Sequence, residues 1–174
     1  MSLRSIRKQC ESALEGVAVP NPFDINDFCA VISTKRQRAL HLVPKGTRLG
    51  PCGIWLALPD VDYVFYESET SQLHREHISL HELGHLLCEH QPNAVMDAEV
   101  VAKLFPHLNP NMVHRVLGRT TYTAIEEQEA EMVASLVRER IEHELRATRR
   151  RGGRRESWMV SADRDVVDRL RDAL

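Results

Sequence analysis

Ile78-Ser79-Leu80-His81-Glu82-Leu83-Gly84-His85-Leu86-Leu87 spaces its apolar residues at helical rather than alternating intervals, so a helix is expected from about Ser71 to His90, with Pro92 marking its stop. His81 and His85 stand four residues apart, and one helical turn brings such residues onto the same face. Both imidazoles can therefore reach one metal ion at the roughly 2.0 to 2.1 Å that zinc takes to nitrogen. Glu82 projects about 100° round the helix from His81 and can address a water beside the ion without becoming a ligand. Leu80, Leu83, Leu86 and Leu87 imply a largely buried helix. There, two unpaired histidines and a glutamate carry a desolvation cost that a divalent cation offsets. A solvated polar helix explains the histidines but not the leucines around them.

A chain with nine His and sixteen Glu produces H-E-x-x-H by accident about 4% of the time, so the motif needs a partner elsewhere. Catalytic zinc normally takes three protein ligands and keeps a fourth position open. The segment Glu126-Glu127-Gln128-Glu129-Ala130-Glu131 offers the third. Thr123 and Glu126 form a capping box at the start of a helix that is expected to run to about Ala147. Ala130 and Ala134 follow Glu127 at three and seven residues, placing small side chains on its face. Gly84 costs its own helix about 1 kcal/mol relative to Ala, and close approach of the two helices is a reason for its presence. Glu127 is thus the expected third ligand, with Glu126, Glu129 and Glu131 as alternative registers. The rival reading of the acidic run is a solvated helix start favoured by the helix dipole.

The His-Glu-Leu-Gly-His helix, followed by a helix with Glu127, Ala130, Glu131 and Ala134, resembles the ImmA/IrrE family of zinc metallopeptidases, whose second motif is E-x-x-A-N/D-x-F-A. The likeness runs from about Phe23 to Leu136 and includes a strand leading into the His helix. It implies a small cytoplasmic zincin that cleaves or inactivates a helix-turn-helix repressor. Matched by motif, zinc is held by His81, His85 and Glu127, and Glu82 is the general base.

The remainder of the 174 residues sets the frame. With 43% hydrophobic and 28% charged residues the chain suits one packed domain. No run approaches the roughly 20 apolar residues of a membrane span, and the charged N-terminus lacks the apolar core of a secretory signal, so no membrane role and a cytoplasmic location are expected. Cys10, Cys29, Cys52 and Cys88 are widely spaced and read as structural thiols. Helices are expected over Leu3 to Leu14 and after Asp24. Strands are expected at Ala39 to Val43, Cys52 to Leu58 and Val61 to Glu67, and a short helix from Asn111 through Val116. The resulting expectation is an α+β fold with helices packed on a small, largely antiparallel three-stranded sheet. Residues 1–145 would form the zincin-like domain, 146–157 an arginine-rich linker and 158–174 a short C-terminal helix.

Residues 146–174 hold nine basic and five acidic residues, a balance of +4, which leaves −6 for residues 1–145. An acidic body is a poor surface for a phosphate backbone, so nucleic-acid binding is not expected outside 146–155. His90 lies one residue short of the spacing a metzincin third histidine needs, and His74 and His77 read as surface residues. Tyr63, Tyr66, Tyr122, His114 and His143 are all chemically able to stabilise an oxyanion. The sheet edge near Val61 to Glu67 is expected to receive an extended substrate. The principal rival function is a zinc-containing regulator that binds a repressor, or a partner in a toxin–antitoxin-like system, without cutting it.

Overall fold

A computed structural model of the chain describes residues 2–46, 52–57, 60–90 and 122–171, with side chains described to Thr148. Among these residues the order is α1 (Leu3–Ala13), α2 (Ile25–Arg36), β1 (Ala39–Lys45), β2 (Gly53–Ala57), β3 (Val61–Glu67), α3 (Gln72–Leu87) and α4 (Ala124–Arg171), an α+β arrangement. The short helix expected from Asn111, and His114 with it, lie outside the described residues. No helix among the described residues is long and apolar enough to cross a membrane.

Local chemistry starts each helix where the sequence places a cap. Ser2 Oγ accepts from Ser5 N at 3.3 Å, Asp24 from Asn26 N at 2.7 Å, and Ser71 from His74 N at 3.3 Å. Thr123 and Glu126 bond reciprocally, at 2.7 and 3.2 Å. Each such bond satisfies an amide that the helix itself leaves unpaired.

The sheet corrects the antiparallel expectation. Its order is β1-β3-β2; β2 runs antiparallel to β3, but β1 runs parallel to it, with Ala39 opposite Val61 and Lys45 opposite Glu67. Residues 46–52 separate β1 from β2, too many for a tight hairpin, so β3 takes the place between them. β3 is consequently the central strand, paired on both sides, and cannot receive an added strand. Among the described residues the edge beside the His helix is β2.

The chain divides into two compact units, Met1–Arg138 and Glu139–Leu174. In the first, α1 contributes Ile6, Cys10 and Leu14 to the core, α2 contributes Phe28 and Ile32, and the sheet contributes Ile54, Leu56, Val64 and Phe65. Asp62, 1% exposed, accepts from Arg38 Nε at 2.7 Å and from Trp55 Nε1 at 3.3 Å. That meets the demand of a buried carboxylate for charged and hydrogen-bonding partners. Cys10 and Cys29 are buried as expected of structural thiols, whereas Cys52 is exposed at the start of β2. In the second unit the helix runs on through residues 146–157 to Arg171. Arginine favours helix, no proline interrupts, and Arg146 pairs with Glu142 at 2.9 Å one turn earlier.

Candidate metal centre

α3 buries Ile78, Leu80, Leu83, Leu86 and Leu87, and α4 buries Ala130, Val133, Ala134 and Val137. Each fully buried leucine contributes roughly 1.5 to 3 kcal/mol, ample to offset the cost of Gly84 within the same helix. The two backbones meet at that glycine: a Cβ there would lie 2.7 Å from the Ala130 carbonyl oxygen and 2.8 Å from its Cα. His81 and His85 flank Gly84, and Glu127 precedes Ala130 by one turn. Contact between the backbones therefore carries all three side chains to one place.

The ligand atoms form a small triangle. His81 Nε2 lies 3.1 Å from His85 Nε2 and 3.2 Å from Glu127 Oε2, and the third edge, His85 Nε2 to Glu127 Oε2, is 3.9 Å. A circle through three atoms with those separations has a radius of about 2.0 Å, so a single ion can sit at zinc-like distance from all of them. The two nitrogens and the carboxylate thus fit a zinc ion with a fourth position free. The other carboxylates of the acidic run are engaged elsewhere. Glu126 caps α4 through Thr123, Glu129 bonds His90 at 2.8 Å, and Glu131 lies 3.6 Å from both His77 Nε2 and His81 Nδ1. His74 is exposed beside His77.

A cavity of about 270 Å³ opens over the triangle, bounded also by Glu82, Tyr122 and the Cys52–Gly53 start of β2. Burial pushes the Glu82 carboxyl up to about 8, against a lowering by the Trp55 backbone N–H that donates to it. Gly53 makes room for this carboxylate: a Cβ there would stand 2.7 Å from Glu82 Cγ and collide with Oε1. Burial, then the neighbouring His81 and His85's other neighbour His90, pull the His85 imidazole down to about 3. His85 is accordingly neutral at physiological pH, the state a ligand requires.

Tyr122 lies against this site. Its ring stacks on His85 with centroids 3.5 Å apart and planes 13° from parallel. Its hydroxyl is buried without a hydrogen-bond partner among the described residues, and its pKa is raised, chiefly by burial and then by the charge of Glu82. Of the other oxyanion candidates, Tyr63 stacks with His41 and Phe65, and Tyr66 lines a separate cavity with Phe23 and Arg75. His143 belongs to the second unit.

Sequence spacing missed His90. It is 6% exposed, and its Nδ1 lies 2.9 Å from His85 Nδ1. The cause is the way α3 ends. Glu89 adopts a left-handed φ of 56°, Glu89 N bonds Leu86 O at 3.3 Å and His90 N bonds His85 O at 3.0 Å. These two bonds make a Schellman turn, which folds the residue two beyond the cap back over the last turn. Its only sequence signal is a helix stop placed shortly before Pro92.

Compared with protein-family models, with curated proteins and with solved structures, the chain matches none.

Proposed function

We propose that this chain is a zinc-dependent endopeptidase of the ImmA/IrrE type, with a zincin-like site, that cleaves a cytoplasmic protein partner, a helix-turn-helix repressor. The observation that carries the reading is the convergence of His81, His85 and Glu127 within 4.8 Å of one another beneath a cavity that also holds Glu82. A zinc ion bound there supplies Lewis acidity, lowering the pKa of water toward about 7 and polarising a carbonyl. Glu82 takes the proton from the attacking water and returns it to the leaving amine, as a general base and then a general acid. Its hydrogen bond from the Trp55 N–H holds the carboxylate at the cavity wall. The Tyr122 hydroxyl donates to the developing oxyanion, a role suited to a buried donor with no other partner among the described residues. An extended peptide adds to the β2 edge, where Cys52 and Gly53 border the cavity.

Metal analysis of the purified chain tests the centre directly. The wild type should carry about one zinc per chain, and His81→Ala and Glu127→Ala should each lose it. Incubation with repressor proteins, read by mass spectrometry, then tests cleavage. Bound zinc without cleavage would leave the non-cutting regulator in place.

Tyr122→Phe keeps the ring against His85 and removes only the hydroxyl. It should lower kcat by about 10²- to 10³-fold, with zinc content and KM close to wild type. A KM change with kcat preserved would assign Tyr122 to substrate binding instead.

A further inference from the structure

Behind His85 lies a second polar chain, sealed from solvent. His85 Nδ1 contacts His90 Nδ1 at 2.9 Å, and His90 Nε2 contacts Glu129 Oε2 at 2.8 Å. The three residues are 1%, 6% and 4% exposed. Polar groups held this deep need all their partners, and here each ring nitrogen has one.

The geometry points to His90 and Glu129 as positioning residues that hold His85 in the one tautomer able to bind metal; this rests on the zinc-site reading. The chain of protons runs from the carboxylate inward. A carboxylate oxygen is an acceptor, so in the 2.8 Å contact His90 Nε2 carries the hydrogen and donates to Glu129 Oε2. With Nε2 as its donor, His90 presents a lone pair at Nδ1, which accepts from His85 Nδ1–H across 2.9 Å. His85 Nε2 is thereby left unprotonated, and it is the atom that faces His81 Nε2 and the Glu127 carboxylate. An outer partner on the far nitrogen of a ligating histidine sets its tautomer and orientation and raises its basicity. Two steps separate the carboxylate from the ligand here, with a second histidine between them.

The backbone supports this assignment. Glu89 holds a left-handed φ that glycine or asparagine adopts more readily, at a cost of roughly 1 to 2 kcal/mol. That residue brings His90 over His85. On the other helix, Glu127 and Glu129 are two residues apart and face different partners, one toward the ligand nitrogens and one toward His90. A single helical turn of α4 thus supplies both the third ligand and the anchor of the outer chain. The amide backbone ties this turn to α1 as well, since the Cys10 thiol reaches the Glu129 carbonyl at 3.5 Å.

The test is zinc affinity of the full chain, measured by competition with a chromophoric chelator, together with the visible spectrum of the cobalt(II)-loaded protein. Glu129→Ala and His90→Phe should each bind zinc about 10- to 100-fold more weakly than wild type and shift the cobalt bands, because the ligand ring is no longer held. Glu129→Gln keeps an acceptor but loses the charge and should fall between wild type and Glu129→Ala; being nearly isosteric, it also serves where the alanine variant fails to fold. A merely structural role would lower the melting temperature and leave affinity and spectrum of the folded protein unchanged, and that result overturns the assignment. Failure of the wild type itself to bind zinc would instead remove the metal-site reading on which it rests.

Discussion

Glu82→Gln should lose hydrolysis by about two to four orders of magnitude while zinc stays bound, the range expected when a positioned general base is removed. The amide matches the carboxylate in size, so the contact with Gly53 and the hydrogen bond from Trp55 N–H survive. Glu82 is not among the three converging ligand atoms, so metal content should not change. The fold should tolerate the change for a further reason. Burial raises the carboxyl from 4.5 to about 8, so the metal-free protein holds it protonated at neutral pH, and Gln resembles that form. A raised folded-state pKa means stability that is complete below about pH 4.5 and declines as pH rises through about 8, by up to several kcal/mol. Thermal unfolding of chelator-treated protein should therefore show Glu82→Gln and wild type alike near pH 4.5 and the variant more stable near pH 9. Undiminished hydrolysis in the variant would remove Glu82 from the chemistry, and loss of zinc would recast it as a ligand.

What the sequence made legible was whatever depends on spacing within one helix or on a cap beside it. His81 and His85 share a face because four residues make about one turn, and Asp24 and the Thr123–Glu126 box start helices where side-chain chemistry permits. Ala130 and Gly84 announced a close crossing because small residues are what such a crossing needs. Strand pairing was less accessible. β1 pairs with β3, not with its neighbour in sequence, and that choice depends on which strand fits between the others rather than on any residue of β1. The outer chain was hidden for a related reason. His90 and Glu129 are 39 residues apart, and their contact requires both the Schellman turn at Glu89 and the helix crossing at Gly84. Tyr122 stood among five equally able side chains until its stacking on His85 set it apart.

Gly84→Ala offers the other large effect, and its sign is informative because two forces oppose. Helix propensity alone predicts that α3 gains about 1 kcal/mol. The new methyl, however, would stand 2.7, 2.8 and 3.1 Å from the O, Cα and C of Ala130, all backbone atoms that no rotamer change can move. Carbon atoms pack at about 3.5 to 4.0 Å, so the helices must part by about 0.7 Å or more. Overpacking of this kind costs about 1 to 3 kcal/mol or more, enough to exceed the propensity gain. The melting temperature should fall by several degrees, at roughly 2 to 4 °C per kcal/mol for a chain of this size. Separation also carries Glu127 away from His81 and His85, whose edges to it are already 3.2 and 3.9 Å. Zinc affinity should consequently drop at least about tenfold even in the folded variant, a size comparable to losing an outer partner of a ligand. Calorimetry and chelator competition on the same preparation separate the two consequences. If Gly84→Ala instead melted higher and bound zinc as tightly as wild type, the helices would not touch at this residue, and the route by which Glu127 reaches the two histidines would have to be another.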